Sequence, residues 1–169
     1  MIGRCFTVLA SALALSLGIW SANGADSPSP VVGTWRITSI SNVTPDTSEV
    51  TYPFGDRVAG YIQYSAGGHV VVFLSIENLK RPASVAAYTD AERAEIHKGI
   101  FGAYAGTYSV EANKLTHHIV ASWRPDWTGG QQIRYFELNG SKLTIKTAPI
   151  TSVVTGKPIV ATLTFERLE

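Results

Sequence analysis

The fold of this chain is decided by residues 115–138, which read LTHHIVASWRPDWTGGQQIRYFEL. Two strand-like runs flank a loop that contains a Pro-Asp and a Gly-Gly pair. Because side chains alternate between the faces of a strand, we expect His118 and Ser122 on one face of the first strand, and Arg134 and Phe136 together on the second. Polar and apolar residues mix on these faces. That mixture favours the wall of a barrel with a ligand cavity over a solid sandwich core.

The N-terminus has the pattern of a secretory signal. Arg4 precedes an apolar run at residues 5–20, and the small-residue segment Ala22-Asn23-Gly24 suits cleavage. The run is too short, and too soon followed by Ser, Gly and Pro, to favour a lasting membrane span. We predict a signal peptide over residues 1–24, a flexible leader over residues 25–31 and a secreted or periplasmic protein. The alternative is an uncleaved N-terminal anchor.

Composition narrows the classes of function. Cys5 is the single cysteine of the chain, so removal of the signal leaves no disulfide. A mature domain of roughly 145 residues is large enough for one core to stabilise it by burial. The formal net charge is +1 and no charge run occurs. Nothing in these values indicates binding to nucleic acid or to an anionic membrane surface.

The rest of the chain predicts an all-β, antiparallel domain over residues 32–169. Outside the central hairpin, strand-like runs lie at residues 34–40, 58–64, 69–76, 102–110, 143–147 and 159–168. One short helix is expected after Thr89, since Thr89 and Glu92 have capping-box spacing, and it should end at Gly99. About eight strands and one helix indicate a barrel or a sandwich.

Several motifs resemble the bacterial lipocalin-like domain family. They are Gly33-Thr34-Trp35, Thr116-His117-His118 and Gln132 followed by Arg134, within a resemblance that covers residues 32–168. The resemblance implies an eight-stranded lipocalin-like barrel that holds a small, mostly apolar molecule. It also implies that Trp35 closes the base of the barrel with Arg167 packed across it, which is a structural contact.

The candidate ligand-binding residues share polar or aromatic character and predicted positions on the barrel wall. They are Tyr61, Tyr104, His118, Ser122, Arg134 and Phe136. Arg134 lies among apolar neighbours, and an unpaired buried charge is costly. It therefore pairs inside with Glu111, Glu137 or Glu166, which we favour, or it meets an anionic group of a ligand.

We expect a binding protein for a small apolar or amphipathic molecule, with no cofactor and no metal. Adjacent residues of a strand face opposite ways, so His117 and His118 do not chelate one ion, and which of them faces the interior is left open. The alternative is a cyclase or isomerase in which His118 is the acid or base and Arg134 holds a developing oxyanion. A third hypothesis is an envelope module that binds a partner protein. The oligomeric state is left open.

Overall fold

The computed structural model describes residues 29–79, 86, 88–152 and 156–169. The predicted signal peptide lies outside these residues. The strands are β1 (Gly33–Thr44), β2 (Glu49–Thr51), β3 (Val58–Tyr64), β4 (His69–Ile76), β5 (Ile100–Glu111), β6 (Lys114–Ser122), β7 (Gln131–Asn139), β8 (Lys142–Thr147), β9 (Ile150–Thr151) and β10 (Pro158–Arg167). Helix α1 spans Asp90–Gly99, and a 3-10 helix spans Pro125–Trp127.

Eight of these strands form a closed antiparallel barrel. The strand order is β1-β3-β4-β5-β6-β7-β8-β10, and β1 also pairs with β10, which closes the sheet. The short strands β2 and β9 pair with β1 and β10 and lie outside this ring. The barrel predicted from the sequence is therefore confirmed, and the sandwich alternative was wrong.

The barrel has two different ends. Successive connections between antiparallel neighbours alternate between the ends. The tight β3–β4, β5–β6 and β7–β8 hairpins lie at one end, called here the closed end. The longer connections that follow β1, β4, β6 and β8 lie at the other, called here the loop-bearing end.

An indole and a guanidinium seal the closed end. Trp35 is 0% exposed and its Nε1–H donates to the carbonyl of Val31 at 2.7 Å. The Arg167 guanidinium carbon lies 4.0 Å from the centre of the Trp35 ring. Arg167 also donates to the carbonyls of Val32 at 2.7 Å and Pro30 at 3.0 Å. These bonds draw the residues before β1 across the base, so Val31, assigned to the leader by the sequence, is fully buried.

Side chains fill the interior towards the closed end. The most deeply buried large residues are Trp35, Tyr64, Phe165, Leu115, Leu143, His117, Val31 and Val70. The barrel therefore does not contain a hollow along its whole length. A ligand would have to lie towards the loop-bearing end.

Three aromatic side chains lie at the loop-bearing end, and we call Phe54, Phe101 and Trp127 the aromatic cover. All three are partly buried against the core. The rings of Phe54 and Phe101 stack with centres 4.5 Å apart. Trp127 meets Tyr104 edge-on, with ring centres 5.9 Å apart, and Arg124 lies 4.8 Å from the Trp127 ring centre. Phe54 and Trp127 come from connections between strands, whereas Phe101 lies at the start of β5, so two of the three cover residues lie outside the barrel wall.

A bulge in β6 changes which residues face inward. Gly106 pairs with Ile119, but Tyr104 pairs with Ser122, so Val120 is an extra residue in the ladder. An extra residue reverses the inward–outward alternation beyond it. A Cβ atom on Gly106 would overlap the backbone of β6 at this place, so glycine is required there for space.

Helix α1 begins with the predicted capping box. The Thr89 hydroxyl accepts from the Glu92 amide at 3.2 Å, and the Thr89 amide donates to the Glu92 carboxylate at 2.9 Å.

A surface cleft of about 290 Å³ lies beside the helix, lined by Tyr88, Arg93 and Ile96. Within the part of the chain that is described, no helix combines the length and hydropathy needed to cross a membrane.

Candidate functional site

A histidine held between two tyrosines lies inside the barrel. His117 on β6 is 0% exposed, and its neighbours on the inward face are Leu115 and Ile119. Its Nε2 lies 3.0 Å from the hydroxyl of Tyr64 on β3, and its Nδ1 lies 2.8 Å from the hydroxyl of Tyr104 on β5. Both ring nitrogens are therefore occupied by phenols in the core.

This environment keeps the imidazole neutral. Burial lowers the pKa of His117 to about 3, and the nearby charges of Arg134 and His118 act in the same direction. Burial likewise raises the pKa of both tyrosine hydroxyls, while Arg134 opposes that rise. The three groups are uncharged at neutral pH, so they form a network of neutral hydrogen bonds.

This network contains one polar hydrogen more than its two hydrogen bonds use. A neutral imidazole has one N–H donor and one acceptor nitrogen, and each phenol has one O–H. His117, Tyr64 and Tyr104 thus carry three polar hydrogens but share two hydrogen bonds. One phenolic hydrogen remains to be given to a further acceptor, whichever tautomer His117 adopts.

Arg134 is the charged member of the site. It lies on the inward face of β7 between Gln132 and Phe136, close to the strand end that faces the loops. Its guanidinium donates to the side-chain oxygen of Gln132 and to the carbonyl of Ile133, each at 2.9 Å. Its positive charge also acts on the Tyr104 hydroxyl, where it opposes the rise in pKa that burial causes. A guanidinium has five N–H donors, so these two acceptors do not exhaust it.

The predicted internal ion pair of Arg134 was wrong. Glu111 pairs with Lys114 at 2.8 Å, Glu137 with Lys146 at 3.6 Å, and Glu166 with Arg36 at 2.8 Å. These pairs form on the outer surface, because each carboxylate lies on an outward position of its strand. Among the residues that the structure describes, no carboxylate forms an ion pair with Arg134.

Two of the six candidate residues lie on the outer face of the barrel, which corrects their predicted position on the interior wall. Tyr61 is 50% exposed because its neighbours Gly60 and Ile62 take the inward positions of β3. His118 lies on the outer face because His117 takes the inward one. The cyclase or isomerase hypothesis placed His118 and Arg134 in one cavity, and the structure puts them on opposite faces of the wall.

The other candidates lie on the inward side. Tyr104 and Phe136 are buried, and the positive charge of Arg134 acts on the Tyr104 hydroxyl. Ser122 is brought to the side of Tyr104 by the bulge, where its hydroxyl donates to the carbonyl of Ala103 at 3.2 Å. Whether any of these residues contacts a ligand stays a prediction.

The sequence prediction left out His117 and Tyr64 as site residues. A signal for both was available in the alternation of apolar residues. Leu115 and Ile119 lie two residues before and after His117, and Ile62 and Val58 lie two and six residues before Tyr64. No three His, Cys, Asp or Glu side chains gather as metal ligands within the described ranges.

Comparison with known proteins identifies the family. The model of the lipocalin-like domain matches residues 32–168, so the chain belongs to the lipocalin-like domain family. Among solved structures, the crystal structure of a mutant of the fluorescent protein UnaG is similar, with 16% identity over 82% of this chain and 96% of that chain, at a TM-score of 0.37. A search of the curated proteins finds no match.

Proposed function

We propose that this chain is an exported binding protein that holds one small apolar or amphipathic molecule at the loop-bearing end of its barrel. The observation that carries the proposal is the arrangement at that end. An aromatic cover, partly contributed by loops, lies over inward-facing groups that still have hydrogen-bond donors to give. A buried donor without an acceptor costs about 1 to 3 kcal/mol, so a ligand that accepts from these donors would be stabilised by them.

Entry to the site requires movement of Phe54 and Trp127, the two cover residues on connections, and not of the barrel wall. The strands are held by continuous ladders, whereas Phe54 and Trp127 are held by ring contacts. Loop side chains change position at far lower cost than paired strands do. The ligand then replaces the contacts that the cover makes with the core.

Binding is tested by titrating the mature protein with N-phenyl-1-naphthylamine, a neutral probe that fluoresces in apolar surroundings. We expect saturable one-to-one binding. Phe54→Asp puts a charge into the cover and should weaken the affinity at least about tenfold, because a carboxylate must be desolvated there. Tyr52→Asp is the matched control in the same connection, since Tyr52 is 62% exposed and should not matter. Absence of saturable binding, or equal effects of both substitutions, contradicts the proposal.

Export is supported by the sequence of residues 1–24 and is tested separately. The mass of the protein recovered outside the cytoplasm should correspond to a chain that begins close to Ala25. Recovery of the intact chain in the cytoplasm contradicts this part of the proposal and leaves the binding proposal to its own test.

A further inference from the structure

We infer that the molecule bound by this barrel carries an acidic head group, a carboxylate or a group of similar shape, which Arg134 receives. The inference rests on the proposed binding function and adds the class of ligand to it. Arg134 brings a positive charge to the inward face, and the acids predicted to neutralise it lie outside, each paired with another base.

The geometry of the donors fits an acid. The guanidinium presents its N–H groups in a planar fork that matches the two oxygens of a carboxylate. The side-chain oxygen of Gln132 and the carbonyl of Ile133 hold it by hydrogen bonds of 2.9 Å each. The side chain is therefore oriented before any ligand arrives, so little entropy is lost when the ligand binds.

In one tautomer of His117, the hydrogen left over in the network supplies a second kind of donor beside Arg134. If the Nδ1–H of His117 donates to the Tyr104 oxygen, the Tyr104 hydroxyl hydrogen is the one left over, and it lies beside Arg134. A carboxylate oxygen would accept from this hydroxyl and from the guanidinium together. A hydroxyl head group would gain one neutral hydrogen bond but would leave the charge of Arg134 uncompensated.

The position of Arg134 also sets the direction of the ligand. Arg134 is the fourth residue of β7, which starts at the loop-bearing end, and Tyr104 joins it to Trp127 of the aromatic cover. The acid head lies at the level of Arg134 and Tyr104, and the apolar remainder lies towards Phe54, Phe101 and Trp127. The ligand is thus an amphipathic acid with its apolar part directed to the loops.

The test compares decanoic acid with 1-decanol, which share a chain and differ in the head group, by isothermal titration calorimetry at neutral pH. The acid should bind the native protein roughly 10- to 100-fold more tightly than the alcohol, because a hydrogen-bonded ion pair replaces neutral hydrogen bonds. Arg134→Gln should abolish this preference while the affinity for the alcohol changes little. Arg36→Gln, which removes an arginine from the outer face, should leave the preference intact.

A measurement on the native protein covers the case in which Arg134→Gln does not fold. The preference for the acid should decrease progressively as the pH falls below the pKa of a free carboxyl group, about 4 to 5. Equal binding of acid and alcohol, or a preference that survives Arg134→Gln, overturns the inference while the proposed function stands. If N-phenyl-1-naphthylamine and both decyl compounds fail to bind, the proposed function fails and the inference with it.

Discussion

Lowering the pH should destabilise this protein through His117 in particular. The unfolded chain binds a proton at His117 near pH 6.5, whereas the folded protein holds the pKa at about 3 because the side chain is buried between two phenols. The stability that neutral His117 contributes is therefore complete above pH 6.5 and is lost progressively as the pH falls towards 3. From pH 6.5 to pH 4 this covers about 2.5 pH units at about 1.36 kcal/mol each, or about 3 kcal/mol.

The assay is urea denaturation of the native protein and of His117→Gln at pH 7 and pH 4. Glutamine keeps a donor and an acceptor for the two tyrosines but does not titrate. The free energy of unfolding should fall between the two pH values by about 3 kcal/mol more in the native protein than in the variant. His118→Gln removes the neighbouring histidine on the outer face and should behave like the native protein. An equal fall in the native protein and in His117→Gln would refute the reasoning.

Three further predictions concern stability. Arg167→Gln should lower the free energy of unfolding by about 2 kcal/mol, since the contact with Trp35 and two hydrogen bonds to carbonyls are lost; urea denaturation measures it. Gly106→Ala should cost about 3 kcal/mol or prevent folding, because a methyl group there meets the backbone of β6, while Gly67→Ala, with ordinary contacts, should cost less than about 1 kcal/mol. Thr89→Ala should remove the capping box and speed amide hydrogen exchange in α1, at a cost of about 1 kcal/mol that is local to the helix.

The positions of most strands were predictable because local composition favours them. Runs rich in β-branched and aromatic residues, bounded by glycine-containing turns, correspond to β3, β4 and β8, and the Thr89–Glu92 spacing located α1. The family motifs then separated the barrel from the sandwich, which the strand pattern alone left open.

The inward face of the barrel was predictable only in part. Arg134 and Phe136 were assigned to one face correctly, because β7 alternates without interruption. The assignment of Ser122 to the face of His118 failed at the bulge of β6, where Val120 adds a residue. A bulge depends on the register of two strands, so a single strand sequence does not reveal it.

The partners of charged groups were not predictable. Sequence placed Arg134 within reach of three glutamates, and each of them pairs instead with a base on its own outer surface. Exposed ion pairs form between whichever long side chains are adjacent, at little energetic gain, so spacing along the chain does not determine them. Arg134 therefore faces inward without an ion pair to any of these three glutamates, and the proposed ligand class depends on its charge.

The claim that Arg134 receives an acidic head group is tested most directly by the pKa of a bound acid. This pKa is measured by ¹³C NMR of decanoic acid labelled at its carboxyl carbon. If Arg134 and Tyr104 receive the head group, the bound acid should titrate below the pKa of the free acid, and Arg134→Gln should raise that value. A bound acid that titrates above the free acid would show a head group buried away from Arg134 in apolar surroundings, and would contradict the account.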